Sequence, residues 1–62
     1  MITIGDTVEC VKADYRDVLT VGKQYTVKEC VTMFGGKVEI LLDEIPYHLW
    51  MVERFKKVEN NR

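Results

Sequence analysis

Apolar and polar residues alternate with a period of two in several short segments of the chain, which is the pattern of half-buried β-strands. The first segment follows the turn residues Gly5-Asp6, with Val8 and Cys10 on one side and Glu9 on the other. It predicts a strand over residues 7–12. The mixed, polar residues 13–18 predict a loop, in which the acidic side chains are interpreted as solvated charges.

A second and longer β-pattern covers residues 24–33, which are rich in β-branched and aromatic side chains. Strict alternation places four side chains on the apolar face, namely Tyr25, Val27, Val31 and Met33. It places Thr26, Lys28, Cys30 and Thr32 on the opposite face. Glu29 interrupts the apolar face, so we expect the strand to bend there.

Glycines divide the apolar segments from one another. In LTVGKQYTV, residues 19–27, Gly22-Lys23 predicts a turn, because glycine adopts positive φ without a Cβ clash. Phe34-Gly35-Gly36 predicts a hairpin that leads into a strand over residues 37–42. In that strand Leu41 faces outward and is expected to be partly covered. Pro46 closes the strand, since it lacks a backbone donor.

The C-terminal segment fits two interpretations. Tyr47, Trp50, Met51, Phe55 and Val58 follow helical spacing, but the same residues fit a strand over 47–51, one helical turn and a last strand over 55–58. Residues 1–5 and 59–62 are expected to fray. The predicted core is Val8, Cys10, Leu19, Val21, Tyr25, Val27, Val38, Ile40, Leu42, Phe55 and Val58.

Composition limits the chain to one small domain of 62 residues with a net charge of −1. This balance excludes a broadly basic nucleic-acid binder and an acidic nucleic-acid mimic. There is no apolar run long enough to cross a membrane, and the start MITIGD lacks the pattern of a secretory signal, so we expect a cytoplasmic protein. Cys10 and Cys30 fit that compartment as reduced structural thiols.

Enzyme chemistry finds little support in the sequence. Serine is absent, and the single histidine, His48, lies between Tyr47 and Leu49 without a nucleophile motif. Two cysteines and one histidine do not make a zinc site. We therefore expect a protein that is not an enzyme and has neither a cofactor nor a metal.

Protein binding is the favoured class of function. Phe34 lies at the predicted hairpin tip, and aromatic residues and methionine are enriched in interface cores. The candidate binding residues are Phe34, Tyr47, Leu49, Trp50 and Met51. Trp50 also fits a second role as a core residue, and the sequence leaves both roles open.

Nucleic-acid binding is the alternative, because small β-domains combine basic and aromatic side chains for that purpose. The candidate residues are Lys12, Tyr15, Arg16, Lys23, Lys28, Arg54, Lys56 and Lys57. Acidic residues interrupt these positions, which is more typical of an interspersed, solubilising surface. Capture of a small anionic metabolite or nucleotide by an oligomer is a third hypothesis.

The order of elements resembles an SH3-like β-barrel. CVKADYRDVLTVGKQYTVKEC is similar to the first strand, long loop, diverging turn and second strand of that fold, and WMVERFKKV to its helical turn and last strand. The resemblance implies an all-β domain of about five strands over residues 1–62, and favours strand–turn–strand at the C-terminus. Ala13-Asp14-Tyr15 only echoes the ALYDY motif and the paired tryptophans are absent, so polyproline binding is not implied.

A narrower likeness joins LTVGKQYTV and the downstream ERFKKV to small proteins encoded by bacteriophages. It implies a module that binds and modulates a host or phage protein in the bacterial cytoplasm, as in host takeover. The module would act as a monomer or small homo-oligomer, without a membrane.

Overall fold

The computed structural model describes residues 2–14, 16 and 18–59, and these form an all-β fold. The strands are β1 (Thr7–Cys10), β2 (Gln24–Thr32), β3 (Val38–Leu42), β4 (Leu49–Met51) and β5 (Phe55–Lys57). A 3-10 turn, Val52–Arg54, joins β4 to β5. The strands pair antiparallel in the order β4-β3-β2-β1-β5. The strand count and the single short helical turn are those expected of an SH3-like fold, and strand–turn–strand is confirmed for the C-terminal segment.

β2 belongs to both halves of the sheet. Its first half pairs with β1, with Tyr25 opposite Val8, and its second half pairs with β3, with Cys30 opposite Ile40. Between the halves the register shifts, and Lys28 is the extra residue of a β-bulge. A bulge bends a strand and increases its twist, so β2 turns from one half of the sheet into the other. The predicted bend is confirmed, at the residue before Glu29.

The bulge also changes which side chains face the core. Beyond it Cys30 is half-buried and packs against the core, whereas Val31 and Met33 are exposed. The alternation predicted for residues 28–33 is therefore wrong. The physical reason is that one inserted residue reverses the phase of a period-two pattern.

The turn at Gly22 is confirmed by its hydrogen bonds. Lys23 N–H donates to the carbonyl of Thr20 at 3.1 Å, and Gly22 has φ of +90°. The turn is tied to β1, because Gly22 N–H donates to Cys10 O at 2.8 Å and Cys10 N–H donates to Lys23 O at 3.0 Å. The chain thus returns from the loop of residues 11–20 directly alongside β1.

The core departs from the prediction at a few positions. Among the described residues the buried apolar side chains are Val8, Cys10, Leu19, Tyr25, Val27, Ile40, Leu42, Ile45, Trp50 and Phe55. Val21 is 57% exposed, because it lies in the turn that ends the loop rather than in a strand. Val38 and Val58 are half-buried near the ends of their segments.

Residues 2–5 run beside β2. Gly5 N–H donates to Val27 O at 2.9 Å, and the Cys30 thiol donates to Ile2 O at 3.4 Å, while Ile2 packs against the core. Met1 and residues 60–62 lie outside the described residues. In the described part of the chain, no helix has the length and apolar character needed to cross a membrane.

Candidate functional site

The loop of residues 11–20 is organised around a buried carboxylate, that of Asp14. Its Oδ1 accepts the backbone N–H of Leu19 at 2.9 Å, and its Oδ2 accepts that of Arg16 at 3.2 Å. Donation by Leu19, helped by Arg16, lowers the pKa of Asp14 below its ordinary value, and this outweighs the opposing effect of burial. Asp14 is only 5% exposed, so its interpretation as a solvated loop charge is wrong.

Arg54 fastens the same loop to the end of the 3-10 turn. Its Nη1 donates to Ala13 O at 2.7 Å. Its carbonyl oxygen accepts the N–H groups of Val11 at 2.7 Å and Lys12 at 3.3 Å. Arg54 was predicted as a nucleic-acid ligand, but its observed contacts are with the backbone of the loop.

A cavity of about 150 Å³ lies between this loop and β4. Its lining residues are Asp14, Arg16, His48, Leu49, Trp50, Met51 and Arg54. The His48 ring stands 4.3 Å from the Trp50 ring, centroid to centroid, with the planes inclined by 60°. The indole Nε1 of Trp50 is buried and has no hydrogen-bond partner among the residues that the structure describes.

The predicted binding cluster at residues 47–51 is divided between two faces of the sheet. Trp50 is 3% exposed and packs in the core, while Tyr47 is exposed and Leu49 and Met51 are half-buried. Alternation along β4 explains the division, because Leu49 and Met51 point away from Trp50. The structure therefore assigns Trp50 the core role that the sequence left open.

The strand register gathers apolar side chains on the outer face of β2, β3 and β4. Val31 is opposite Glu39, which is opposite Met51, and the neighbouring row aligns Leu41 with Leu49. Residues directly opposite in a sheet share a face. We call Val31, Leu41, Leu49 and Met51 the outer apolar face. Leu41 is half-buried, as expected.

The β2–β3 hairpin extends this face to a tip that carries Phe34. Its side chain is fully exposed, as predicted. Gly35 and Gly36 both have positive φ, and Gly36 N–H donates to Met33 O at 3.0 Å, which holds the tip. A second cavity of about 310 Å³ opens between the tip and the 3-10 turn. It is lined by Gly35, Gly36, Lys37, Val38, Glu39, Met51, Val52 and Glu53.

The other predicted nucleic-acid residues are distributed over several elements. Lys57 forms an ion pair with Asp6 at 3.5 Å, and Lys56 is opposite Glu9 in the β1–β5 ladder. The Nζ of Lys23 lies 5.4 Å above the centre of the Tyr25 ring. Lys12 and Lys28 are exposed in the loop and the bulge. Tyr15 lies outside the described residues.

Among the residues that are described, no group of three histidine, cysteine or carboxylate side chains is placed to hold a metal ion. Cys10 is buried and Cys30 half-buried, both as free thiols. Comparison of the chain with family models, curated proteins and solved structures gave no match.

Proposed function

We propose that the chain is a non-enzymatic protein-binding module that contacts its partner through the outer apolar face and Phe34. The partner is a host or phage protein whose activity the module modulates. The identity of the partner class rests on the likeness of LTVGKQYTV and ERFKKV to phage-encoded proteins.

The observation that carries the proposal is the register of β2, β3 and β4. It places Val31, Leu41, Leu49 and Met51 together on the side of the sheet opposite the core. An antiparallel sheet with one solvated face normally presents alternating polar residues there. On this face Glu29 is opposite Leu41 and Glu39 lies between Val31 and Met51, so four apolar residues are interspersed with two acidic ones. An apolar group with a polar surround, together with the exposed Phe34 at the hairpin tip, is typical of an interaction surface.

The occupant that fits this surface is an extended, apolar segment of the partner. β4 stands at the end of the strand order, so one side of its backbone has no neighbouring strand in the described sheet. An extended segment adds to such an edge through main-chain hydrogen bonds and lays alternate side chains on the adjoining face. Leu49 and Met51 are the β4 residues that would receive them.

Capture from bacterial lysate by the immobilised chain, with mass spectrometry of retained proteins, provides the test. The variants are Phe34→Ala and Val31→Lys, and the control is Val21→Lys. Val21 is exposed and apolar but lies in the turn at Gly22. Val31→Lys also places a lysine opposite Glu39, a favourable cross-strand pair, so folding should be preserved.

We expect a partner that the wild type and Val21→Lys retain and that Phe34→Ala and Val31→Lys lose. Calorimetry with the purified partner then measures the affinity directly. Retention by all four proteins would exclude the outer apolar face as the contact surface. Failure of the wild type to retain any protein would count against protein binding itself.

A further inference from the structure

The outer apolar face carries two acidic side chains that have no charged partner. Glu29 is opposite Leu41. Glu39 is opposite Val31 on one side and Met51 on the other. In the described part of the chain neither carboxylate forms an ion pair. Because covering an unpaired charge is costly, a partner that lies on this face has to bring positive charge together with its apolar side chains.

The cavity of about 310 Å³ beside the hairpin tip adds a second carboxylate next to Met51. Glu39 and Glu53 both line it, and Lys37 is the basic residue of the lining. Glu53 is exposed in the 3-10 turn and forms no ion pair with any residue that the structure describes. Val38 and Met51 supply apolar walls. A side chain with an apolar stem and a positive end matches this lining, since lysine and arginine lay their methylene stems along apolar surface and keep the charged end among polar groups.

The unpaired edge of β4 brings a partner strand within reach of these carboxylates. Neighbouring strands lie about 4.8 Å apart, so a strand added to β4 lies about 10 Å from β3. Its residue opposite Met51 continues the row that runs through Met51 to Glu39, and residues in one row share a face. An arginine there can extend over Met51 to meet the Glu39 carboxylate, whose geometry its planar fork matches.

A second copy of this chain does not supply the missing charge. Pairing of β4 with β4 of another copy would join the two outer faces into one surface. The rows of that face contain Glu29 and Glu39 and no basic residue. The carboxylates of both copies would therefore stay without a partner, whereas a basic segment neutralises them.

We propose that the partner segment is an extended strand whose side facing the module carries apolar residues and an arginine or lysine. The apolar residue lies opposite Leu49. The basic residue lies opposite Met51 and directs its charged end into the cavity beside Glu39 and Glu53. This inference rests on the proposed function, because it names the chemistry of the segment that the outer apolar face receives.

Three blocked heptapeptides test the charge pattern without the natural partner. Each has threonine at its odd positions, leucine at its second and sixth positions, and arginine, glutamine or glutamate at its fourth. The two leucines and the variable residue thus share one side of the strand. Each peptide is titrated into the ¹⁵N-labelled full chain, and the shifts of the β4 amide resonances give the dissociation constant. We expect the arginine peptide to bind about threefold to fivefold more tightly than the glutamine peptide, as for a partly exposed ion pair, and the glutamate peptide to bind most weakly.

Three variants of the chain locate the charge that is recognised. Glu39→Gln and Glu53→Gln should each reduce the preference for the arginine peptide over the glutamine peptide. Glu9→Gln is the matched control, because it removes the same charge from β1, where Glu9 is opposite Lys56 and does not line the cavity. The preference should be unchanged in that control.

Equal binding of the arginine and glutamine peptides, or a preference that survives both Glu39→Gln and Glu53→Gln, would overturn this inference. So would the absence of a saturable shift with the arginine peptide. If the two peptides bind equally and Val31→Lys abolishes binding of the glutamine peptide, the outer apolar face stands and only its charge preference falls. Sedimentation of the chain alone tests for a second copy at the β4 edge, and a dimer that Val31→Lys dissociates would also overturn the inference.

Discussion

Asp14 illustrates how a single side chain organises a segment that has no regular structure. Buried backbone N–H groups of a loop need hydrogen-bond acceptors because they have no strand or helix partner. Here the buried carboxylate accepts hydrogen bonds from the N–H groups of Leu19 and Arg16. Asp and Asn favour loops because their short side chains reach neighbouring backbone groups. Asp14 thereby sets the position of the loop wall of the small cavity.

Asp14→Asn should change the pH dependence of stability. Because the folded-state pKa of Asp14 lies below its ordinary value, the ionised form stabilises the fold above that ordinary pKa. This contribution is lost as the pH falls through the folded-state pKa. We expect the variant to be less stable than the wild type at neutral pH.

Urea unfolding of both proteins, from neutral pH down to about pH 3, measures this effect. The difference in the free energy of unfolding should shrink as the solution becomes acidic. A difference that stays constant across that range would show that the carboxylate charge contributes nothing.

Gly22→Val should destabilise the fold through the backbone alone. A Cβ at Gly22 would meet no atom within 4 Å, so crowding contributes nothing, but φ of +90° is unfavourable for an L-residue. The expected loss in the free energy of unfolding is about 1–2 kcal/mol. Gly22→Asn is the matched control, because asparagine tolerates positive φ better, and it should cost less.

Chemical denaturation of both Gly22 variants checks this ranking. Binding of the partner identified by lysate capture should survive in any fraction that folds, since the turn is not part of the outer apolar face. A Gly22→Val variant as stable as the wild type, or one that folds fully and no longer binds, would contradict the assignment.

At the level of elements, the bulge in β2 determines which side chains lie on each face of the sheet. This bulge, at Lys28, lets one strand serve two halves of the sheet, and it brings Cys30 rather than Val31 toward the core. Val31 therefore lies on the outer face with Leu41 of β3 and with Leu49 and Met51 of β4. The binding surface that we propose is thus a consequence of one inserted residue.

The β2–β3 hairpin should separate binding from stability. Phe34 is fully exposed at its tip, so Phe34→Ala removes no buried surface and should alter the free energy of unfolding by less than about 0.5 kcal/mol. The same variant should lose the partner. Thermal unfolding followed by circular dichroism measures the first effect, and a large drop in Tm would mean that Phe34 packs against the fold.

At the scale of the whole molecule, stability depends on a small core shared by all five strands. A chain of 62 residues buries a limited fraction of its surface, so individual core side chains matter strongly. Ile45 and Trp50 lie outside the core set that the alternation predicted, yet both are buried. They close the core from the segment that follows β3.

Val27→Asp should abolish cooperative folding. Val27 is 1% exposed in the centre of β2, and an aspartate there would be a buried charge without a partner. Val21→Asp is the control, because Val21 is apolar but exposed. Circular dichroism melts should show a cooperative transition for the control only, and a wild-type melt for Val27→Asp would refute the core assignment.

Prediction from the sequence succeeds where the determinants are local. Gly22 and Gly35-Gly36 mark turns through their backbone freedom, and the alternation of apolar residues marks the strands. Three of the four residues of the outer apolar face follow from the same alternation, because Leu41 was predicted to face outward and Leu49 and Met51 alternate with the buried Trp50. The cavity does not, because it forms only where the loop of residues 11–20 lies beside β4, and Arg54 holds the loop through Ala13, which is 41 residues away along the chain.

The amino-acid sequence by itself determined the strands before Pro46 and the places where the chain turns, because these follow from backbone preference and periodicity over a few residues. The choice of strand–turn–strand over a helix at the C-terminus, and with it an all-β domain of about five strands, came from the resemblance to an SH3-like barrel. Only the tertiary structure decided which side of β2 faces the core beyond Lys28, that Asp14 is buried, and that the Trp50 indole is buried in the core. Those features depend on register and on contacts between segments far apart along the chain, which a local pattern does not record.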